Sequence, residues 1–277
     1  MKSNHPCFNP GASRKNARVH LPVAPACNVQ CNFCNRKYDC LNESRPGVTS
    51  AVLSPDQALL HLREQCARRD DISVVGIAGP GDPLADAGRT LETLRLVRES
   101  FPDLLLCVAT NGLALPRHVE ALVAVGVSHL TVTVNAVDVA VGRRIYQWMR
   151  VDGERLEGPQ AAAHLLRSQE EAIRRLAETE VTVKVNTIVI PGINDDHVGE
   201  VAERVREWGA DLMNCMALKP TAGTPFADIP ESDPATLRSI REIAGCHLPQ
   251  MAHCTRCRSD ACGRLGEDDA GARESLL

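Results

Sequence analysis

Six short β-branched runs alternate with six amphipathic stretches along this chain. That alternation predicts an α/β fold: a partial (β/α)6 TIM-like barrel with short cysteine-bearing extensions at both ends. The length of 277 residues (30.0 kDa) leaves room for one α/β barrel or two small domains. Hydrophobic residues make up 44% of the chain and aromatics only 3%, so the expected core is built from Val, Leu, Ile and Ala. Six units in sequence call for a parallel sheet with right-handed crossovers, and they fall short of a closed eight-stranded barrel.

Strands are expected at Val19–Val23, Val74–Ala78, Leu104–Ala109, Leu130–Val134, Thr182–Val189 and Leu212–Leu218. Helices are expected at Pro55–Arg68, Gly88–Glu99, Arg117–Val125, Ala161–Glu178, His197–Trp208 and Pro234–Ala244. The first helix has Ser54 to cap it and Pro55 at its first position. Residues 1–18 read as an N-terminal extension, 19–220 as the barrel and 221–277 as a C-terminal extension with a disordered polar tail. Residues 143–159 interrupt the alternation with Tyr146, Trp148, basic side chains and glycines; an insert or lid and a solvated connecting loop fit them equally.

The net charge of -4 provides no broad basic field, which argues against nucleic acid as a partner. No apolar run approaches membrane-spanning length, and the start MKSNHPCFNP lacks a signal-peptide core, so a cytoplasmic location away from membranes is expected. Twelve cysteines in such a chain read as metal ligands in a reducing compartment rather than as disulfides.

The most specific signal is Cys27, Cys31 and Cys34 in CNVQCNFC. Zinc sites favour paired C-x2-C elements, whereas three cysteines at C-x3-C-x2-C spacing can hold three corners of a four-iron cubane. The fourth iron is then open to a small molecule, and the triplet reads as a radical S-adenosylmethionine (SAM) site. It follows the first expected strand, at the end of a barrel where catalytic groups gather. Gly79 and Gly81 in GPGDP, Thr110 in TNG, Asn135, Asn186 and the turn at Ile190 to Gly192 recur at later strand ends. Singly these are common turn residues. The C-x2-C at Cys254 and Cys257 is a metal signal on spacing alone.

The run HPCFNPGASRKNARVHLPVAPACNVQCNFCNRKYDCLNESRPGVTS, with the later GPGDPL, ATNG, VNTIVIPGIND and HCTRCRSDA, resembles the NifB family of radical SAM enzymes, which serve nitrogenase cofactor biosynthesis. The likeness covers nearly the whole chain and is most specific in the N-terminal run. It resembles the shorter, stand-alone form that lacks a C-terminal cofactor-carrier domain. The resemblance implies fusion of two four-iron clusters into an eight-iron precursor of the iron–molybdenum cofactor, with a carbide and an added sulfide. One SAM supplies the carbon as a methyl group; a second yields the 5′-deoxyadenosyl radical that draws hydrogen from it.

By the same resemblance, Cys27, Cys31 and Cys34 hold the SAM cluster, and Gly79, Gly81, Thr110, Asn135 and Asn186 shape the SAM pocket. Cys7, Cys254 and Cys257 match one precursor cluster; His20, Cys40 and Cys107 match the other. Expected partners are SAM, an iron–sulfur cluster donor scaffold, an electron donor such as ferredoxin, and a downstream carrier of the product. From the residues alone, Cys107 and His20 read as core side chains. Cys66 and Cys215 read as packing residues, Cys262 as a marginal addition to the tail site, Cys246 without a role, and Glu43 as an exposed carboxylate near Cys40. Arg14, Lys15 and Arg18 read as a solvated face. Two other functions compete: a radical SAM enzyme whose auxiliary clusters carry electrons toward an organic or peptide substrate, and a cluster carrier needing no SAM pocket.

Overall fold

The computed structural model describes residues 4–42 and 51–267. Glu43 and the tail expected to be disordered (268–277) lie outside them. A turn of helix, α1 (Pro10–Ser13), leads into β1 (Ala17–His20). After β2 (Val29–Cys31) come α2 (Pro55–Arg68), β3 (Ile72–Ile77), α3 (Ala87–Ser100), β4 (Leu105–Thr110), α4 (Val119–Ala124) and β5 (Val127–Thr133). Then follow α5 (Val139–Ile145), β6 (Tyr146–Val151), β7 (Glu154–Glu157), α6 (Gly158–Ala177) and β8 (Thr182–Val189). The series closes with α7 (Val198–Trp208), β9 (Leu212–Ala217), α8 (Pro234–Gly245) and β10 (Cys262–Gly263).

The main sheet runs β10-β1-β3-β4-β5-β8-β9, parallel throughout except for β10, which pairs antiparallel with β1. Six parallel strands, each followed by a helix, make the expected (β/α)6 partial barrel. The strands carry near-continuous apolar runs because both faces are covered: Val75, Leu106, Leu130, Val183 and Val185 are all fully buried. The first strand ends at His20, earlier than the sequence suggests. Leu21 still donates its amide to Gly76 O (2.9 Å), but Pro22 has no amide to continue the ladder.

The helices form for local reasons and are held by tertiary ones. Ser54 accepts from the Gln57 amide while Gln57 reaches back to the Ser54 amide, a complete capping box at the start of α2. Asp233 caps α8 in the same position before Pro234. α6 buries Leu165, Ile173 and Leu176 along one stripe; at roughly 2 kcal/mol each, that packing outweighs intrinsic helix propensity.

Residues 143–159 form neither a lid nor a solvated loop. They are the end of α5 and the β6–β7 hairpin, and β6 pairs antiparallel with β2 into a second, three-stranded sheet. Tyr146 and Met149 pack in one cluster with the cysteine loop while Gln147 and Arg150 stay exposed, a spacing of three that goes with the register shift between Gln30 and Cys31.

Arg18 is also not on a solvated face. It is 1% exposed, and its guanidinium donates to the carbonyls of Gly263, Arg264 (2.8 Å) and Glu267 (3.4 Å), strapping β1 to the segment after β10. Arg14 and Lys15 are exposed, as expected.

Candidate active site

The cysteine loop is a folded object before any ligand is considered. The register Val29↔Met149, Gln30↔Trp148 and Cys31↔Tyr146 fixes its middle to β6. The Gln30 side chain donates to Cys31 O (3.1 Å) and Cys34 O (2.7 Å), and the Cys34 amide donates to Cys31 O (3.0 Å). Phe33, 1% exposed, anchors the turn in a cluster with Tyr146, Met149 and Met216. Cys27, Cys31 and Cys34 therefore face one cavity together with Arg36, Asp82 and Asn111.

Burial pushes the Cys27 thiol up to about 12, with the Asp82 carboxylate adding to it. Cys31 is pushed well above the ordinary thiol value by burial and by its two neighbours. Cys34 is raised by burial too, while the Arg36 guanidinium, hydrogen-bonded to it, pulls the other way. Thiols so placed lose their protons when metal is bound, since coordination supplies the missing positive charge. Two amide N–H groups already point at the sulfurs: Asn42 Nδ2 to Cys31 Sγ and Asn111 Nδ2 to Cys27 Sγ, each at 3.9 Å. This donor set fits an iron–sulfur cluster held by three cysteines.

The GPGDP turn clamps the base of the loop. Gly81 donates its amide to Ala24 O (2.6 Å) and Asp82 donates its own to Ala26 O (2.7 Å). A Cβ at Gly81 would stand 2.0 Å from Ala26 O, so only glycine permits this approach. The Asp82 carboxylate is buried and accepts from the Asn111 amide (2.6 Å), the Leu84 amide (2.9 Å) and Thr110 Oγ1 (3.0 Å). Burial raises its carboxyl and these donors oppose the rise. Thr110 and Gly81 thus act on the cysteine loop through hydrogen bonds, and Gly79 sits in the same turn.

Asn135 and Asn186 meet at Asn42. Asn135 Nδ2 donates to Asn42 Oδ1 (3.3 Å) and Asn186 Nδ2 donates to Asn42 O (3.1 Å). Asn135 Oδ1 accepts the Ile188 amide (2.8 Å), and Asn214 Nδ2 donates to Asn186 Oδ1 (3.2 Å). A buried amide network, from Asn135 just past β5 and from Asn186 and Asn214 within β8 and β9, thereby reaches the sulfur of Cys31.

A second cavity lies beside the first, with Ala109 in the wall of both. Cys7, His20, Cys107, Cys254 and Cys257 all line it. Residues 5–8 reach it by packing on β8 and β9: Phe8 clusters with Leu212 and Met251, and His253 bonds to Pro6 O (2.9 Å). The His20 ring occupies space left by Gly76, where a Cβ would meet its Cδ2 at 2.9 Å. Its Nδ1 bonds to Arg258 O (3.0 Å), and burial lowers it to about 4. Cys7 is pushed up to about 12, first by burial and then by Cys257 and Cys254, while Lys184 opposes the rise.

The two expected ligand triads are therefore not drawn as separate groups. Cys7, Cys254 and Cys257 share their cavity with His20 and Cys107. Cys40 instead lines the triplet's cavity, where its amide is tied to Pro80 O (2.9 Å). Among the cysteines without an expected role, Cys66 and Cys215 pack in the core, Cys262 turns to Gln65 Oε1 (3.3 Å) in the main sheet, and Cys246 is exposed.

Reasoning from sequence missed Asp82 and Asn111, although each stands inside a motif it had singled out. It also missed Asn42, Arg36, and the cations Lys184 and Arg256 in the second cavity. Glycine inside a strand at Gly76 was a readable sign of close approach.

Residues 21–205 match the radical SAM superfamily, and the chain belongs to it. Membership brings one four-iron cluster and SAM. The FeMo cofactor biosynthesis protein NifB of Chlorobaculum tepidum is 54% identical over 95% of this chain, and that of Klebsiella pneumoniae 50% identical over 95%. The chain spans 62% and 57% of the length of those two relatives. In fold it is similar to methylornithine synthase, with a TM-score of 0.51 and 15% identity over 87% of this chain and 72% of that one. It is also similar to the FeFe-hydrogenase maturase HydG from Carboxydothermus hydrogenoformans (TM-score 0.56, 15% identity, 85% of this chain and 53% of that one). Among the described residues, no helix is long and apolar enough to cross a membrane.

Proposed function

We propose that this chain is a SAM-dependent cluster-assembly enzyme. It joins two four-iron clusters, with a SAM-derived carbon and an added sulfide, into the eight-iron precursor of the nitrogenase cofactor. The chemistry is of transferase and lyase type, a methyl transfer followed by hydrogen abstraction. Its partners are then a scaffold that donates clusters, a ferredoxin-like reductant and a carrier that takes the product.

The observation that carries this reading is the second cavity. Four cysteines and two histidines, His5 and His20, line one space next to the triplet, flanked by Lys184 and Arg256. A permanent cubane takes four protein ligands, so six donors serve two clusters only if at least one is held incompletely. Incomplete ligation suits a substrate that has to be rearranged and released. The two cations balance the charge of thiolate-bound clusters in a buried site. The high identity to NifB proteins supports the same chemistry.

In this scheme the triplet cluster, when bound, supplies the electron that splits SAM. The chain's own residues hold and shield it: Asn42 and Asn111 donate to its sulfur ligands, Phe33 and Tyr146 exclude water, and Asp82 fixes the loop. The test is iron and acid-labile sulfide per chain after anaerobic reconstitution. About twelve irons are expected, three four-iron clusters. About four would leave the triplet alone and return the second cavity to ordinary packing.

A further inference from the structure

We propose that the exposed face around the cysteine loop is the docking surface for a small acidic protein carrying one electron at low potential. This rests on the radical SAM reading of the triplet, whose cluster has to be reduced from outside. Cys34 is the member of the triplet that meets the Arg36 guanidinium, and Arg36, Lys37 and Tyr38, which follow it, are exposed. The Arg36 guanidinium is hydrogen-bonded to the Cys34 thiol, so an exposed residue of this face is in direct contact with a triplet cysteine.

The elements that flank the loop add further cations. Arg143 and Arg144 close α5, Arg150 lies on β6, and all three are exposed. They stand next to the loop by direct bonds. Asn32 donates its amide to Ile145 O (2.8 Å) and its side chain to Arg144 O (2.8 Å), and the Arg150 amide donates to Asn28 O (2.8 Å). Arg36, Lys37, Arg143, Arg144 and Arg150 have no ion-pair partner among the described residues. The nearby acids are mostly engaged: Asp152 with Arg117, Glu157 with Arg155 and Glu231 with Lys219. The chain as a whole carries -4, so this face opposes the charge of the molecule it belongs to.

Arg36 lines the triplet's cavity itself, and the other four follow it in the loop or lie on elements bonded to the loop. Tyr38, 37% exposed, offers an apolar contact beside Arg36 and Lys37. Arginine and aromatic side chains are enriched at protein interfaces, and a positive patch selects and steers a negative partner.

The probe is an acidic two-cluster bacterial ferredoxin, with binding to the reconstituted protein measured by calorimetry at low and high salt. Wild-type affinity is expected to weaken steeply as salt rises. Lys37→Glu, Arg143→Glu and Arg150→Glu together should weaken binding about tenfold or more at low salt. They should also raise KM for ferredoxin in SAM cleavage and leave cleavage driven by dithionite unchanged. Arg63→Glu, Arg68→Glu and Arg238→Glu, the same charge change elsewhere, should bind as wild type. Equal losses in the two triple variants, or wild-type binding by the first, overturn the proposal. If the first triple variant loses its cluster, Lys37→Glu and Arg143→Glu singly decide by the same measurement. Absence of dithionite-driven cleavage in the wild type would instead count against the enzyme reading itself.

Discussion

Gly81→Ala tests the claim that the GPGDP turn holds the cysteine loop in place. The added Cβ would lie 2.0 Å from Ala26 O, 2.6 Å from Ala26 C and 2.9 Å from Ala24 O, all backbone atoms. Non-bonded contacts settle near 3.5 Å, so the two segments have to part by about 1 Å or more. That separation breaks the bonds from Gly81 N to Ala24 O (2.6 Å) and from Asp82 N to Ala26 O (2.7 Å). Two hydrogen bonds at about 1 kcal/mol each, plus about 2 kcal/mol of overpacking, give a loss of about 4 kcal/mol. Urea unfolding of the iron-free chain reads this directly, and iron content after reconstitution reads its effect on the loop. Gly153→Ala is the control: nothing lies within 4 Å of its Cβ, and its φ of +84° costs alanine only about 1 kcal/mol. If Gly81→Ala loses no more stability than Gly153→Ala and keeps its iron, the clamp reasoning is refuted.

Three other outcomes follow from the site. Cys254→Ala with Cys257→Ala should keep SAM cleavage while the eight-iron product disappears, followed by chromatography of 5′-deoxyadenosine and by iron spectroscopy; loss of the SAM cluster in that variant would overturn the division of ligands. Asn111→Ala removes the donor to Cys27 Sγ (3.9 Å) and to Asn28 Oδ1 (2.8 Å); it should shift the cluster's reduction potential downward, and an unchanged potential in redox titration counts against that contact. His129 is held down to about 4, by burial and then by Lys184. The unfolded chain therefore takes up this proton first, and its share of stability is present above about pH 6.5 and lost toward pH 4. That share is up to about 3 kcal/mol. His129→Gln should flatten the fall in unfolding free energy over that window, and an unchanged slope would show the histidine titrating normally.

The parallel sheet was legible because buried strands announce themselves as apolar runs between capped helices: Ser54 with Pro55 marked α2 to the residue. The triplet was legible because its chemistry is a spacing. What stayed hidden depends on partners distant in sequence. Val29–Cys31 is a strand only because β6 lies beside it, and the two residues of β10 have no pattern at all without β1 to pair with. Asn42 could not be ranked above any other loop asparagine, since its meaning comes from Asn135 and Asn186 on two different strands. That Cys40 shares the triplet's cavity while His20 and Cys107 line the second was hidden for a related reason. Motif order along a chain says nothing about which of several cysteines share a wall.

The strap between Arg18 and the segment at Gly263 and Arg264 sets an order of events during synthesis. Its two ends are 245 positions apart. At roughly 5–20 residues per second, the second emerges on the order of tens of seconds after the first. All six parallel strands are complete by then. A nascent barrel thus passes through a stage with Cys7, His20 and Cys107 in an open trough and the Cys254–Cys257 wall not yet made. The closing wall of the second cavity is the last part of the described fold that translation delivers.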